Sequence, residues 1–278
     1  VCSSDLVENL GKRYRLHHQE RERYSTLRDT LARRAKSLFR DPRAALRAGQ
    51  SDEDFWALKD VSFEIKEGEV VGIIGRNGAG KSTCLRTIMG LWKASRGRIE
   101  FKQHAVQGLA TPDIARLGIA YVPENMGIFS ALSVKENLSL AAISGPLDTQ
   151  RLEWIFGFFP ALKKFWNYPA GNLSGGQKQM VAIARAIIEP RELLLVDEPS
   201  KGLSPAIVQN LMEAFRELKT SQTSIILVEQ NFNFVRELGD SVAVMDDGRI
   251  VHQTQMRALA EDQELQTRLL GLSMDSHQ

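Results

Sequence analysis

The sequence predicts an α/β fold in which a mostly parallel sheet is covered by helices on both faces. Short runs of continuous apolar residues, such as Val70–Ile74 and Leu193–Val196, are typical of buried parallel strands. Helical patterns alternate with these runs along the chain, as in proteins built from strand–helix–strand units. A glycine-rich segment directly follows the first run and precedes a helix, which is the setting of a phosphate-binding loop.

The composition is that of an ordinary globular protein. The chain has 278 residues, of which 43% are hydrophobic and 25% are charged. No apolar run approaches the roughly 18–20 residues that a membrane helix needs. The two cysteines form neither a disulfide framework nor a zinc motif. These features disfavour a membrane-spanning, secreted or disordered protein.

The predicted elements follow from local patterns taken in order along the chain. The predicted strands are Leu6–Leu10, Leu58–Ile65, Val70–Ile74, the segments near Ile99 and Ala120, Leu193–Val196, Ser224–Val228, and a hairpin of Val242–Met245 and Arg249–His252 around an Asp247-Gly248 turn. Helices are predicted to begin at about Gly80, at the capping box Ser133-Val-Lys-Glu136, after Ser174 and after Ser204.

A basic segment interrupts this pattern near the start of the chain. Residues 11–50 contain 12 Lys and Arg against 4 Asp and Glu, although the whole chain has a net charge of only +2. An apolar stripe within it predicts an amphipathic helix, formed by Tyr24, Leu27, Leu31, Ala35 and Leu38. This helix is either a solvated surface element or a docking element for a protein partner or an anionic membrane surface. Nucleic-acid binding is disfavoured because aromatic residues do not alternate with the arginines. Regular structure is expected to lapse from Asp41 to Asp54.

The strongest motif is the glycine-rich segment that follows Val70–Ile74. Its sequence fits the GxxxxGK[ST] pattern, in which backbone N–H groups and the helix N-terminus face the phosphates of a nucleotide. Lys81 would supply a cation to the β- and γ-phosphates, and the Ser82 hydroxyl would bind Mg²⁺. The predicted ATP-binding residues are Gly75, Arg76, Asn77, Gly78, Ala79, Gly80, Lys81, Ser82 and Thr83.

Two carboxylates follow the apolar run Leu193–Val196. In parallel sheets ligands bind beyond the carboxyl ends of the strands, where Asp197 and Glu198 are expected to lie. Asp197 is predicted to hold the Mg²⁺ shell, and Glu198 is predicted to polarise the water that attacks the γ-phosphate.

A second predicted anion-binding helix start lies about 95 residues after the first. It consists of the segment Leu173, Ser174, Gly175, Gly176 and Gln177. With the two motifs above, in this order, the chain resembles the ATP-binding subunits of ABC transporters from Val7 to about Leu272. The resemblance implies an ABC-type ATPase fold with an added antiparallel β part and an inserted helical subdomain. It also implies ATP and Mg²⁺ as cofactors and a head-to-tail homo- or heterodimer in which Leu173–Gln177 contacts the ATP of the partner chain.

The resemblance also implies domain limits and an adenine-binding residue. The expected limits are an ATPase domain at 7–272, with a basic insertion at 15–54 and a helical signature subdomain at about 124–190, and a tail at 273–278. Residues 1–6 are expected to be a non-native leader for a separate reason, because they read like a translated sequencing adapter. Bases commonly stack on aromatic rings. Tyr14 is the predicted adenine-stacking residue because it follows the early strand, and Phe55 and Trp56 are the alternatives.

Two positions depart from the common pattern of these ATPases. Glu124 stands where a glutamine usually touches Mg²⁺, and Gln230 stands where a histidine usually contacts the γ-phosphate. Together with Asp197–Pro205, they resemble the branched-chain amino-acid importers, a branch that includes urea and amide importers, from about Arg86 to Leu272. That resemblance implies catalytic roles for Glu198 and Gln230 and a metal role for Glu124. It further implies transmembrane permease partners, an indirect periplasmic binding protein, no nucleic acid, and a peripheral location at the cytoplasmic face of the inner membrane.

The N-terminal part resembles a different branch. Residues from Val7 to about Gly75, with their long insertion, are similar to the ATPases of polysaccharide and O-antigen exporters. The two resemblances meet near Gly78–Thr83, which predicts a chimera. The alternatives to an amino-acid importer are therefore an exporter ATPase and, in another class, a soluble ABC ATPase without a transport role.

Overall fold

The computed structural model describes residues 4–17 and 52–270. Its contacts divide the chain into two compact units, residues 1–12 with 57–278 and residues 13–56. The predicted basic helix with its stripe from Tyr24 to Leu38 lies outside the described residues, as does the predicted tail.

A six-stranded sheet forms the centre of the first unit, in the order β10-β9-β3-β8-β7-β6. Its strands are β3 (Val70–Ile74), β6 (Ile119–Val122), β7 (Leu193–Asp197), β8 (Ser224–Glu229), β9 (Ser241–Asp246) and β10 (Arg249–Gln255). All pairings are parallel except that of β9 with β10, which is the predicted hairpin. The parallel α/β prediction is confirmed.

A second sheet is antiparallel and has the order β2-β1-β4-β5. Its strands are β1 (Ser4–His17), β2 (Asp52–Lys66), β4 (Arg96–Phe101) and β5 (His104–Ala105). Leu6 pairs with Glu100 and Gly11 with Arg96. The expected lapse of regular structure from Asp41 to Asp54 is wrong at its end, because β2 begins at Asp52, and the rest of that range lies outside the described residues. Backbone pairing with a neighbouring strand extends a strand beyond its apolar pattern.

Helices cover both faces of the six-stranded sheet. They are α1 (Lys81–Ile88), α2 (Thr111–Arg116), α3 (Val134–Ser139), α4 (Thr149–Phe158), α5 (Pro160–Lys164), α6 (Gly175–Ile187), α7 (Pro205–Thr220), α8 (Phe232–Leu238), α9 (Met256–Glu261) and α10 (Gln263–Leu270). The side chains of β3 alternate between two buried clusters. Val70 and Ile74 join the cluster that contains α6 and α7, whereas Val71 and Ile73 join the cluster that contains α1 and the antiparallel sheet.

The helix starts agree with the capping signals in the sequence. Ser133 and Ser174 each form a complete capping box, so α3 and α6 begin where predicted. Helix α7 begins after Ser204, with a proline at its first position. Within residues 4–17 and 52–270, no helix is both long and apolar enough to cross a membrane.

Candidate nucleotide-binding site

The phosphate loop joins β3 to α1 and is supported by the β9–β10 hairpin. Gly80, with φ +98°, ends the loop, and a Cβ there would lie 2.8 Å from the Ala57 carbonyl oxygen. The hairpin-turn residue Gly248 donates its N–H to the Ala79 carbonyl oxygen at 2.9 Å. It accepts a hydrogen bond from the Lys59 N–H at 2.8 Å. The loop conformation is therefore fixed by backbone groups from two other parts of the chain.

Lys81 is buried at the first position of α1 and bends back over the loop. Its ammonium donates to the carbonyl oxygens of Gly75 at 2.6 Å and Arg76 at 3.0 Å, and lies 3.8 Å from Glu198 Oε1. Burial lowers the pKa of Lys81, and the nearby carboxylates, chiefly Glu198, oppose that shift. The cation is thus held inside the loop that would surround a phosphate.

Ser82 and Asp197 bring two oxygen atoms together at the end of β7. The Ser82 hydroxyl donates to Asp197 Oδ1 at 2.9 Å, and the Tyr121 hydroxyl donates to Asp197 Oδ2 at 3.3 Å. Asp197 is buried, which raises its pKa, while these two hydrogen bonds act in the opposite direction. Burial also raises the pKa of Tyr121 to about 12, so this phenol stays a donor at neutral pH.

The carboxylate of Glu198 faces the phosphate loop from a strained backbone position. Its φ of +48° is unusual for a residue other than glycine, and its N–H donates to the Val228 carbonyl oxygen at 2.8 Å. Such strain is typical of functional sites, where surrounding contacts hold it in place. Only 7% of the Glu198 side chain is exposed, so the carboxylate is fixed in direction.

Gln230 connects Glu198 to the phosphate loop. Its amide nitrogen donates to Glu198 Oε1 at 2.6 Å and to Asn77 Oδ1 at 2.7 Å. Gln230 follows β8, so three neighbouring strands supply one cluster of polar groups. An amide at this position can bond an oxygen anion but cannot carry a positive charge.

Two acidic residues near this cluster have different surroundings. Glu124 is exposed, and its Oε1 accepts from the Lys201 ammonium at 2.7 Å. Glu229 is buried and accepts from the N–H groups of Ser200 at 2.8 Å and Gln230 at 3.1 Å. Burial raises the pKa of Glu229, against the effect of these hydrogen bonds. Glu229 therefore ties the loop after β7 to the loop after β8.

The predicted signature segment begins α6 away from these contacts. Ser174 Oγ accepts from the Gln177 N–H at 3.3 Å, and Gln177 Oε1 accepts from the Ser174 N–H at 2.9 Å. Ser174 and Gly175 are exposed, whereas Leu173 and Gly176 are buried. The start of α6 at Ser174 and Gly175 is therefore open to solvent.

The other predicted site residues occupy the following positions. Gly75, Arg76, Asn77, Gly78 and Ala79 form the loop, and Thr83 lies in the first turn of α1. Tyr14 lies in β1 and Trp56 in β2, where the Arg13 guanidinium stands 5.6 Å from the Trp56 ring centre. Tyr14 stays a prediction as the adenine-stacking residue.

The donor atoms present fit Mg²⁺ in the way that phosphate-loop proteins use it. Mg²⁺ prefers oxygen ligands and is usually held by one or two protein groups, with phosphates and water completing its shell. The hydroxyl of Ser82 and the carboxylate of Asp197, 2.9 Å apart, provide such a pair. In the described part of the chain no cluster of three or more His, Cys, Asp or Glu forms a separate metal cage.

Sequence reasoning missed three contacts of this site. Lys201 bridges Glu124 and Glu198, Tyr121 bonds Asp197, and Ser200 bonds Glu229. Lys201 and Ser200 follow Glu198 within three positions. Their closeness in sequence to the carboxylates of Asp197 and Glu198 was the signal that could have assigned them to the site. Tyr121 carried no such signal, because only the strand order brings it beside β7.

These features define a phosphate-loop protein whose nucleotide site is built at the carboxyl ends of parallel strands. The family model described as "ABC transporter" matches residues 58–201. The chain belongs to the ABC transporter family and is an ABC-type ATPase. The predicted fold and enzyme class are thereby confirmed.

Individual relatives agree with this assignment. The chain is 41% identical over 217 residues to the high-affinity branched-chain amino acid transport ATP-binding protein BraG of Pseudomonas aeruginosa, covering 77% of this chain and 93% of that protein. It is 32% identical over 218 residues to the probable branched-chain amino acid transport ATP-binding protein LivF of Archaeoglobus fulgidus, covering 77% and 92%.

Solved structures show the same fold. A dimeric ATP-binding cassette in a post-hydrolysis state bound to ADP and phosphate superposes with a TM-score of 0.72 at 23% identity, covering 92% of this chain and 99% of that one. An ATP-binding subunit of an ABC transporter gives a TM-score of 0.66 at 30% identity, covering 82% and 92%.

Proposed function

We propose that this chain is the ATP-hydrolysing subunit of an importer of branched-chain or related amino acids. The observation that carries the proposal is the convergence of Lys81, Asp197, Glu198 and Gln230 at the phosphate loop from three separate segments. The named functions of the BraG and LivF relatives support the amino-acid substrate. Urea and short-chain amides remain the related substrate classes within the same branch.

The side chains divide the work of phosphoryl transfer among them. When ATP binds, the Lys81 ammonium leaves the carbonyl oxygens of the loop and contacts the β- and γ-phosphates instead. The Gln230 amide donates a hydrogen bond to a γ-phosphate oxygen. Glu198 orients the attacking water, since its carboxylate is buried, fixed and directed at the loop. Ser82 and Asp197 would hold Mg²⁺, with Glu124 at the edge of its shell, and the bound metal would supply neutralisation of phosphate charge.

A second ABC ATPase chain would complete each ATP site. The exposed helix start at Ser174–Gln177 lies apart from the chain's own phosphate loop contacts, yet it presents the backbone N–H groups that anions prefer. The ADP-bound dimeric cassette with the same fold supports a dimer. We therefore place the ATP of one chain against the signature segment of its partner, in a homo- or heterodimer.

A groove beside β6 and α6 is the proposed binding place for a permease subunit. It has a volume of about 750 Å³ and is lined by apolar and basic side chains, among them Leu91, Trp92, Met126, Ile143, Arg86 and Arg185. Leu91 and Ile143 are exposed, and the Arg185 Nε atom has no partner within the described residues. A permease helix with apolar and acidic groups fits this lining. Such a complex would hold the chain at the cytoplasmic face of the inner membrane, with a periplasmic binding protein as an indirect partner.

ATP hydrolysis by the purified chain tests the proposal. We expect Mg²⁺-dependent release of phosphate, and we expect Lys81→Ala to weaken ATP binding by at least tenfold, because phosphate charge is then left without its cation. Lys163→Ala, which removes an exposed lysine paired with Glu153, serves as the control. Unchanged ATP affinity in Lys81→Ala would contradict the placement of the site.

Transport assays distinguish the substrate classes. Expression with its neighbouring permease subunits should give ATP-dependent uptake of leucine or isoleucine into vesicles. Uptake of urea alone would move the protein to the amide importers, and glycan export would favour the exporter alternative. ATP hydrolysis that permease subunits leave unchanged, with no uptake of any substrate, would favour the soluble class.

We also propose that residues 7–75 derive from an exporter lineage and join the importer part near Gly78–Thr83. The match covers 93% of the BraG relative but only 77% of this chain. About a quarter of this chain therefore has no counterpart in that relative, which supports an added segment. A join between two lineages should leave gaps in the core around Cys84–Leu91. However, Cys84, Leu85 and Ile88 are buried and the cavity beside Ile88 measures about 20 Å³, so the packing does not support the join. Long-read sequencing across the codons for residues 75–84 tests the join. If the two parts of the chain are encoded by two separate genes, the joined sequence is a product of read assembly.

A further inference from the structure

Lys201 lies between two carboxylates that belong to different loops. Its ammonium is 2.7 Å from Glu124 Oε1 and 3.2 Å from Glu198 Oε2. Glu124 follows β6, whereas Glu198 and Lys201 follow β7. The Glu198 side chain is almost fully buried, but 55% of the Lys201 side chain is exposed. Lys201 therefore reaches from solvent to a fixed carboxylate of the nucleotide site.

The charges around Lys201 show what its cation does in the nucleotide-free chain. Glu124 and Glu198 flank the Lys201 ammonium at the ends of β6 and β7, and Asp197 precedes Glu198 in the chain. The pKa of Asp197 is raised chiefly by burial and also by the negative charge of Glu124. Lys81 lies 3.8 Å from Glu198 but donates its hydrogen bonds to loop carbonyls. Lys201 bonds two of the three carboxylates directly, and these bonds raise its own pKa.

We propose that Lys201 is a positioning residue that serves as a built-in counter-cation for Glu124 and Glu198 and thereby weakens the binding of Mg²⁺ without nucleotide. The inference rests on the proposed function, because it assumes that the metal site lies beside Asp197. An ammonium on a flexible, exposed stem can leave the carboxylates when the metal arrives with the phosphates of ATP. Lys201 also offsets the extra negative charge of a glutamate at position 124.

The test is the response of the nucleotide-free protein to Mg²⁺ alone. Thermal unfolding of the full chain is measured in EDTA and then across a MgCl₂ titration, with ionic strength held constant by KCl because screening alone changes exposed charge pairs. A ligand that binds only the folded state raises the unfolding temperature. The half-effect Mg²⁺ concentration is the one that gives half of the maximal rise in unfolding temperature. For Lys201→Met we expect a lower unfolding temperature in EDTA and a half-effect concentration about tenfold below that of the wild type.

Two further variants separate charge from structure. Lys201→Arg keeps the cation and should respond to Mg²⁺ like the wild type. Lys102→Met is the matched control, since Lys102 pairs with Glu192 at 2.8 Å and is about equally exposed, but lies away from the site. It should leave the half-effect concentration unchanged.

A double variant keeps the test decisive if Lys201→Met does not fold. Lys201→Met combined with Glu124→Gln removes one charge of each sign, so it should fold and return the half-effect Mg²⁺ concentration towards the wild-type value. Equal half-effect concentrations in the wild type and Lys201→Met would overturn the inference; if Lys201→Met does not fold, equal half-effect concentrations in Glu124→Gln and the double variant would overturn it. Failure of the proposed function would appear separately, as absent ATP hydrolysis in the wild type.

Discussion

The amide of Gln230 bonds both Asn77 and Glu198, so a single neutral side chain connects the phosphate loop to the proposed general base. A histidine at this position would gain or lose a proton near neutral pH, but glutamine does not titrate. The orientation of Glu198 therefore depends on hydrogen-bond geometry and on the cations of Lys81 and Lys201.

The role of Glu198 can be tested by an isosteric change. Glu198→Gln keeps the shape but cannot accept a proton from water, so kcat should fall by about 10²–10⁴-fold while ATP still binds. Phosphate release and fluorescent-nucleotide binding measure the two effects. Glu213→Gln, at an exposed position of α7, is the control. An undiminished turnover rate under saturating Mg-ATP would reject the catalytic role.

Cys84 should be chemically silent in the folded protein. Its thiol is fully buried on α1, and burial raises its pKa to about 12, so almost none of the reactive thiolate exists at pH 8. In a Cys2→Ser protein, a disulfide reagent such as DTNB should react with Cys84 only after guanidinium is added. Rapid labelling of the native protein would show that α1 opens far more often than its packing implies.

At the scale of elements, the sequence predicted what depends on local pattern. The buried runs of β3, β7 and β8 were evident because both faces of each strand are covered. The capping box at Ser133 marked the start of α3, and the Ser-Gly-Gly segment at Ser174 marked the start of α6. The strand order was not predictable, since it depends on packing between distant segments. For that reason Tyr121 on β6 could not be assigned to the site from the sequence, and neither could the pairing of Lys201 with Glu124, which lies on a different strand.

The two capping boxes provide a matched test of the signature segment. Ser174→Ala and Ser133→Ala each remove a side chain that caps a helix, so each should cost about 1 kcal/mol of unfolding free energy. Only Ser174→Ala should also lower ATP hydrolysis, because only α6 is proposed to meet the partner's nucleotide. Chemical denaturation and phosphate release measure the two quantities. Equal loss of hydrolysis in both variants would mean that Ser174 acts through stability alone.

At the scale of the whole molecule, the proposed composite site predicts complementation between two inactive chains. Ser174→Arg places a bulky cation at the start of α6, and Lys81→Ala weakens the phosphate loop. A dimer of one chain of each kind retains one intact site, so an equal mixture should recover about a quarter of the wild-type rate. Phosphate release from the mixture and from each variant alone provides the comparison.

The separate variants supply the controls for this experiment. Each should remain folded and nearly inactive alone, and Ser174→Arg should still bind ATP because its own phosphate loop is unchanged. Full activity of Ser174→Arg alone would mean that a single chain hydrolyses ATP, and no recovery in the mixture would contradict the shared site.

The contact between Gly248 and the phosphate loop limits where the chain can be engineered. A hairpin tip is ordinarily a permissive place for an epitope tag or a new pair of termini. Here Gly248 in the tip is buried, a Cβ at this position would lie 2.7 Å from the Ala57 carbonyl oxygen, and the Gly248 N–H donates to the Ala79 carbonyl oxygen. An insertion at this turn would disable nucleotide binding about 170 positions away in the sequence, whereas the loop at Gly145, with open space around it, should accept one.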